Sequence, residues 1–352
     1  MTESRKAVTS RTLAAVVPLM AAATLAVAVP GEAKAVEEPG KGRNVLLAKP
    51  TWDTGWFQVE VYKTLLEELG YKIRRTMTLD NPAFYQSVGQ GDVDMWVNMW
   101  WPNHESYADA YQPGAKLVGY VAKGGALQGY LVSKDAAEKY NIKYLSDMTR
   151  PEVKEAFDSN GDGKADLVAC PPGWGCENVI AHHMDAYNLK DHVNPIKANY
   201  AASMADALGK HKNGKPVFFY TWTPNWTVGL LKPGEDVVWI GVKETRHPRG
   251  LKPEDTTAQG LGDTCTIDPC NLGWGVSDLR PIANKKFLEE NPAVEVLLEE
   301  TGIPIEDIFA QNAKMFQGED SREDLARHAR EWIEANRDRV DTWLAKARAA
   351  AE

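Results

Sequence analysis

The chain has 352 residues, 43% of them hydrophobic, with 49 Asp and Glu against 40 Lys and Arg and a net charge of −9. That length is enough for two ordinary domains with real cores, and the acidic balance argues against nucleic acid and anionic membrane surfaces as partners.

The N-terminus reads as an export leader. Arg5, Lys6 and Arg11 form a basic segment, residues 13–29 are apolar, and Ala33-Lys34-Ala35 supplies an A-x-A cleavage site, with Ala26-Val27-Ala28 as an earlier alternative. The apolar stretch contains Pro18 and is at the short edge for a bilayer span, so cleavage is expected over anchoring. Removing residues 1–35 takes away four Lys/Arg and two Asp/Glu, which leaves 317 residues and a net charge of −11. The expected location of the mature chain is the periplasm.

After a polar linker, residues 44–48 predict a buried strand. A helix over 57–69 follows, with Val59, Val61, Tyr62, Leu65, Leu66 and Leu69 on one stripe and Gly70 as its cap, and then a strand at 71–73. Strand, helix, strand in this order implies a parallel βαβ unit, so the fold class is α/β. A strand at 95–99 ends at Trp100, where open α/β sheets hold their ligands. Further on, strands are expected at 126–132, 216–220 and 236–242, helices at 134–140, 151–157 and 178–187, and an irregular stretch at 244–271. Asn291 and Pro292 start a helix that Gly302 stops. Ser321-x-x-Asp324 opens another, with a core stripe of Leu325, Trp332, Ile333, Val340, Trp343 and Leu344.

Three of the twelve tryptophans stand in short, stiff segments. They are Trp100 in Met99-Trp100-Trp101-Pro102, Trp174 in Pro172-Gly173-Trp174-Gly175-Cys176, and Trp222 in Tyr220-Thr221-Trp222-Thr223-Pro224. A quaternary ammonium has no N–H to donate, so the faces of aromatic rings are what can hold it. Packing is the competing role for any single tryptophan. A helix begins after Gly175-Cys176, so the N–H groups of Gly175 and Cys176 form an anion site beside Trp174. His104, four residues after Trp100, is a further donor, or an ordinary packing histidine. A cation box beside an anion cradle suits a small zwitterion with a trimethylammonium head and a carboxylate. Three ring contacts of about 0.5–2 kcal/mol each, with charge-assisted bonds, suffice for micromolar binding, about −8 kcal/mol.

The cysteines fall into two close pairs, Cys170/Cys176 and Cys265/Cys270. In an oxidising compartment these read as two local disulfides; a four-thiolate zinc site is the alternative, although the first pair is spaced more widely than zinc ligands usually are. Asp158, Asn160, Asp162 and Asp166 match the first half of a calcium loop. Ala169 stands where the bidentate Glu belongs, so an Asx-rich turn without metal is the rival reading. No catalytic signature is present: no G-x-S-x-G, no H-E-x-x-H and no Gly-rich phosphate loop, and no cofactor is implied. His182 and His183, adjacent on a helix, point apart and are expected at the surface.

The runs Asn160-Gly-Asp-Gly-Lys-Ala-Asp-Leu167, Pro172-Gly-Trp-Gly-Cys-Glu177, Asn199-Tyr-Ala-Ala202, Gly214-Lys-Pro-Val217 and Tyr220-Thr-Trp-Thr-Pro224 carry a resemblance, as do Gln128-Gly-Tyr-Leu131, Lys232-Pro-Gly234, Asp236-Val-Val-Trp239 and Ile282-Ala-Asn-Lys285. In order along nearly the whole mature chain, they resemble the periplasmic glycine betaine/proline betaine-binding proteins of ABC importers. The resemblance implies a two-lobe, type II periplasmic-binding-protein fold with the ligand cleft between the lobes. Residues 44–130 plus 262–352 would form lobe 1, and 131–261 lobe 2. It places the aromatic box on Trp100, Trp174 and Trp222, carboxylate donors on His104, Gly175 and Cys176, and a disulfide on Cys170–Cys176. It also implies osmoprotectant uptake without catalysis, a monomer, and a permease and ATPase as partners. Choline, carnitine and, in a different class, a sugar stacked on tryptophans are the rival ligands. The family's N-W-T-P-L-H-D is replaced here by Met99-Trp100-Trp101-Pro102-Asn103-His104-Glu105, and Trp101 is expected to narrow the pocket or add a fourth wall.

Overall fold

A computed structural model describes residues 37–351. The expected leader, 1–35, lies outside the described residues. Twelve strands are described: β1 (Asn44–Pro50), β2 (Lys72–Leu79), β3 (Met95–Trp101), β4 (Ala115–Leu117), β5 (Ala122–Ser133), β6 (Ala165–Val168), β7 (Val193–Ile196), β8 (Phe218–Thr223), β9 (Val237–Ile240), β10 (Thr257–Ala258), β11 (Cys270–Asn271) and β12 (Ser277–Asn284). Ten of them form one mixed sheet in the order β2-β1-β3-β12-β5-β8-β6-β7, with β4 added to β12 and β9 to β5.

The first βαβ unit forms as the sequence predicts. Val45, Leu47 and Ala48 of β1 are fully buried, and β1 runs parallel to β2 and β3. The intervening helix, Trp56–Glu68, buries Phe57, Val59, Val61, Tyr62, Leu65 and Leu66, and burial of each large side chain contributes about 1.5–3 kcal/mol. Gly70 follows it at φ +86°, a left-handed conformation that lets the chain turn back into β2.

β5 is central. Its early residues pair with β12 (Ala122 with Leu279, Ala126 with Ser277), and its later ones pair with β8 on one side and β9 on the other. β12 runs antiparallel to both β3 and β5. β6 runs parallel to β7 and β8. The carboxyl ends of β1, β3, β6 and β8 all lead into the tryptophan-bearing segments.

Several elements depart from the sequence reading. β12 contains Pro281, which lowers a strand expectation, yet it is an interior strand. The helices Asn81–Gln90 and Tyr200–Lys212 were not foreseen, although Asp80 and Asn199 cap them by accepting from the N–H groups of Ala83 and Ala202. A helix does start at Pro292, but Asn291 does not cap it. Its Nδ2 donates to the Phe287 carbonyl at 2.8 Å and its Oδ1 accepts from Arg43 at 3.0 Å. The stripe from Leu325 to Leu344 spans two helices, Arg322–Ala335 and Arg337–Ala349, broken at Asn336. Ser321 caps the first of them, accepting from the Asp324 N–H while its hydroxyl donates to the Asp324 carboxylate.

Candidate functional site

Four tryptophans meet at the carboxyl ends of the parallel strands. Trp52 lies just past β1, Trp100 is the penultimate residue of β3, Trp222 that of β8, and Trp174 precedes the helix Gly175–Ala186 that follows β6. They bound a small cavity, completed by His104, Gln128 and Tyr220, with Gly175 and Cys176 at one end. Trp174 stands edge-to-face between two of the others, its ring centroid 5.5 Å from Trp52 at 71° and 5.6 Å from Trp222 at 76°. In such perpendicular pairs the edge of one ring meets the face of the other, so the indoles form walls at steep angles and not a parallel stack.

All four indole N–H groups are turned away from the cavity to side-chain oxygens. Trp52 and Trp100 both donate to Asn98 Oδ1, at 2.8 and 3.2 Å. Trp174 donates to Thr51 Oγ1 at 2.8 Å and Trp222 to Thr54 Oγ1 at 3.1 Å. Each bond fixes a ring's tilt as well as satisfying a donor. On the same lining, the Tyr220 hydroxyl donates to Gln128 Oε1 at 2.6 Å, taking one of the two acceptor sites of that oxygen.

Trp52 is the residue the sequence reading missed, and Trp101 is the one it misplaced. Strand alternation sends Trp101 away from Trp100; it is 38% exposed and no part of the cavity. The fourth wall is Trp52. Its position at the carboxyl end of the first parallel strand was the available signal.

At the Gly175 end of the cavity, the first N–H groups of the helix Gly175–Ala186 have no acceptor within their own helix. Gly175 is required here by space. A Cβ on it would lie 2.7 Å from His104 Cδ2 and 2.9 Å from Nε2. The left-handed position is Gly173, at φ +86°, whose carbonyl accepts from the Asn81 N–H at 3.2 Å. The Gly173 N–H in turn donates to Glu177 Oε2 at 3.0 Å.

His104 is buried, and that burial pushes its pKa down to about 3, so the imidazole is neutral. Its Nδ1 faces the Tyr85 hydroxyl at 2.8 Å and the Trp100 backbone N–H at 3.3 Å. A backbone N–H can only donate, so Nδ1 carries the lone pair and the proton sits on Nε2. Nε2 is therefore a donor on the side of Gly175, with the carboxamide of Asn81 3.0 Å from it.

The four cysteines form two disulfides, Cys170–Cys176 and Cys265–Cys270, with Cα separations of 6.3 and 6.1 Å. The first encloses Trp174 and ties the start of its helix to the end of β6. The zinc alternative is thereby removed.

Asp158, Asn160, Asp162 and Asp166 lie in a separate loop. Asp158 accepts from the N–H groups of Gly161 and Gly163 at 2.6 and 2.8 Å, which hold its carboxyl below the usual range. Asn160 Oδ1 accepts from Asp162 N–H and Asp166 Oδ2 from Ser159 N–H, so this is an Asx-turn network. Among the described residues no group of three or more His, Cys, Asp or Glu is placed to hold a metal ion. His183, expected at the surface, is instead fully buried, with the Tyr130 hydroxyl 2.9 Å from its Nδ1. Its helix packs inward at that position, leaving only His182 partly exposed.

A cavity of indole faces at the carboxyl ends of parallel strands, closed at one end by a helix N-terminus, defines a solute-binding protein. The fold is the two-lobe, type II periplasmic kind. Residues 43–335 match the family described as the substrate binding domain of ABC-type glycine betaine transport system, and the chain belongs to that family. It is a substrate-binding component of a transport system and not an enzyme. The chain is 40% identical to the glycine betaine-binding periplasmic protein OusX of Dickeya dadantii, over 89% of this chain and 92% of that one. It is 39% identical to a glycine betaine/proline betaine-binding periplasmic protein of Escherichia coli, over 90% and 93%. The crystal structure of lactococcal OpuAC, closed and complexed with glycine betaine, shares the fold with a TM-score of 0.64 at 20% identity, over 86% of this chain and 99% of that one.

Proposed function

We propose that the chain, freed of residues 1–35 on export to the periplasm, binds glycine betaine or a close betaine between its tryptophans and delivers it to the permease and ATPase of an ABC importer. The observation that carries this reading is the outward turn of all four indole N–H groups. The walls then offer ring faces without donors, which suits a trimethylammonium head. His104 Nε2–H and the N–H groups of Gly175 and Cys176 receive the carboxylate as charge-assisted hydrogen bonds. The glycine betaine-binding relatives support the same ligand class.

We assign lobe 1 to 44–130 with 262–352, and lobe 2 to 131–261. The split partners of β5 favour a crossing in that strand, and the return lies before β12. The box is complete within one chain, so a monomer suffices. Isothermal titration with glycine betaine, proline betaine, choline and carnitine tests the function. Heat with the betaines is expected; no heat with any of the four overturns the reading. Binding of an uncharged saccharide that survives loss of the His104 donor would favour the sugar-binding alternative.

A further inference from the structure

We propose that Asn81 determines specificity at the anion end, its carboxamide helping His104 to select ligands that carry a carboxylate. The inference rests on the betaine-binding reading above. Asn81 is fully buried, and its carboxamide nitrogen stands 3.0 Å both from His104 Nε2 and from where a Cβ on Gly175 would be. Its backbone N–H bonds to the Gly173 carbonyl, so the side chain is anchored to the loop that opens the helix Gly175–Ala186. With this orientation of the amide, Oδ1 is buried without a partner.

The proton on Nε2 explains why a carboxamide belongs there. With its oxygen toward Nε2–H, the amide accepts that proton and holds the imidazole in place. Turned over, it presents N–H groups to an anion arriving at the helix start. A neutral side chain with both an acceptor and donors can serve His104 and a carboxylate in turn. A carboxylate in its place would still accept from Nε2 but would repel the anion. An aliphatic side chain would do neither.

The test compares the wild type, Asn81→Asp and Asn81→Ala by isothermal titration with glycine betaine and choline, with thermal unfolding as the check on folding. Asn81→Asp is expected to weaken glycine betaine by well over tenfold and to shift preference toward choline, which has no carboxylate. Asn81→Ala is expected to lose less, because it removes the amide without adding charge. Equal losses in the two variants, or parallel losses for both ligands, would mark a purely structural role and overturn the proposal. If Asn81→Asp does not fold, Asn81→Ser carries the test, with a selective loss of glycine betaine expected and an equal loss for both ligands overturning it. A wild type that binds no betaine refutes the functional reading itself. A betaine-binding wild type with an unchanged Asn81→Asp refutes only the role of Asn81.

Discussion

The Trp222 indole N–H donates to Thr54 Oγ1 at 3.1 Å, joining the end of β8 to the turn after β1. Thr54 is 3% exposed, so neither partner can turn to water instead. Replacing Thr54 by Val keeps the shape and removes the acceptor, and a buried donor left unpaired costs about 1–3 kcal/mol. Calorimetry should show Thr54→Val weakening glycine betaine about tenfold. Unchanged affinity would mean that packing alone sets the ring.

Trp52 and Trp101 make a matched pair of tests. Trp52→Ala removes a wall of the cavity, and the lost ring contact of about 0.5–2 kcal/mol adds to lost packing. Affinity should fall by more than about tenfold, as for Trp174→Ala. Trp101→Ala, on the exposed side of the same sheet, should leave affinity within about twofold. Equal losses at both positions would contradict this placement.

Gly175→Ala tests the crowding at the helix start. The added methyl would lie 2.7 Å from His104 Cδ2, so either the imidazole or the helix end must move. Glycine betaine affinity is expected to fall by well over tenfold with the melting temperature little changed. The Ala variant binding as tightly as the wild type would show that the N–H groups here do not meet the ligand.

The buried histidines set the response to acid. Burial lowers the pKa of His104 and His183 from 6.5 to about 3, and that of His247 to about 4. Below pH 6.5 the unfolded chain takes up protons that the folded chain refuses, so stability falls as the pH drops toward the folded values. Each such imidazole contributes a slope approaching about 1.4 kcal/mol per pH unit in that window. Urea denaturation at pH values spanning it should show the decline, and replacing His183 with a non-titrating residue should make it shallower. Betaine affinity should stay flat in the upper part of that range, because well above its pKa of about 3 His104 keeps one protonation state.

What the sequence revealed depended on whether a signal was local. Trp100, Trp174, Trp222, His104, Gly175 and Cys176 were legible because Pro, Gly and Cys beside them announce stiff, turn-bearing backbone; the structure brings all six to one cavity. Trp52 escaped because its role depends on β1 lying parallel to β3, a pairing made across 48 residues from Leu47 to Met95. β12 escaped because Pro281 speaks against a strand, while its place between β3 and β5 is a tertiary fact. Trp101 was misjudged because adjacency in sequence was taken for adjacency in space, whereas a strand sends neighbours to opposite faces. Asn81 carried no local signal, because its neighbour His104 stands 23 positions away in the chain.

The threonines and asparagine that hold the indole N–H groups also decide which solutes are turned away. Ordinary amino acids match a small zwitterion in length and in their carboxylate, and they are far more common. Their ammonium heads carry N–H groups that need acceptors, while Asn98 Oδ1 already accepts from two indole N–H groups and Gln128 Oε1 from the Tyr220 hydroxyl, which leaves it a single site. Burying an unsatisfied donor costs about 1–3 kcal/mol, so an unmethylated head should be penalised at each N–H it strips of water. The methyl groups of a betaine avoid that penalty altogether. Selectivity against the most abundant competitors thus follows from a scarcity of free acceptors, before any contact with the preferred solute is counted.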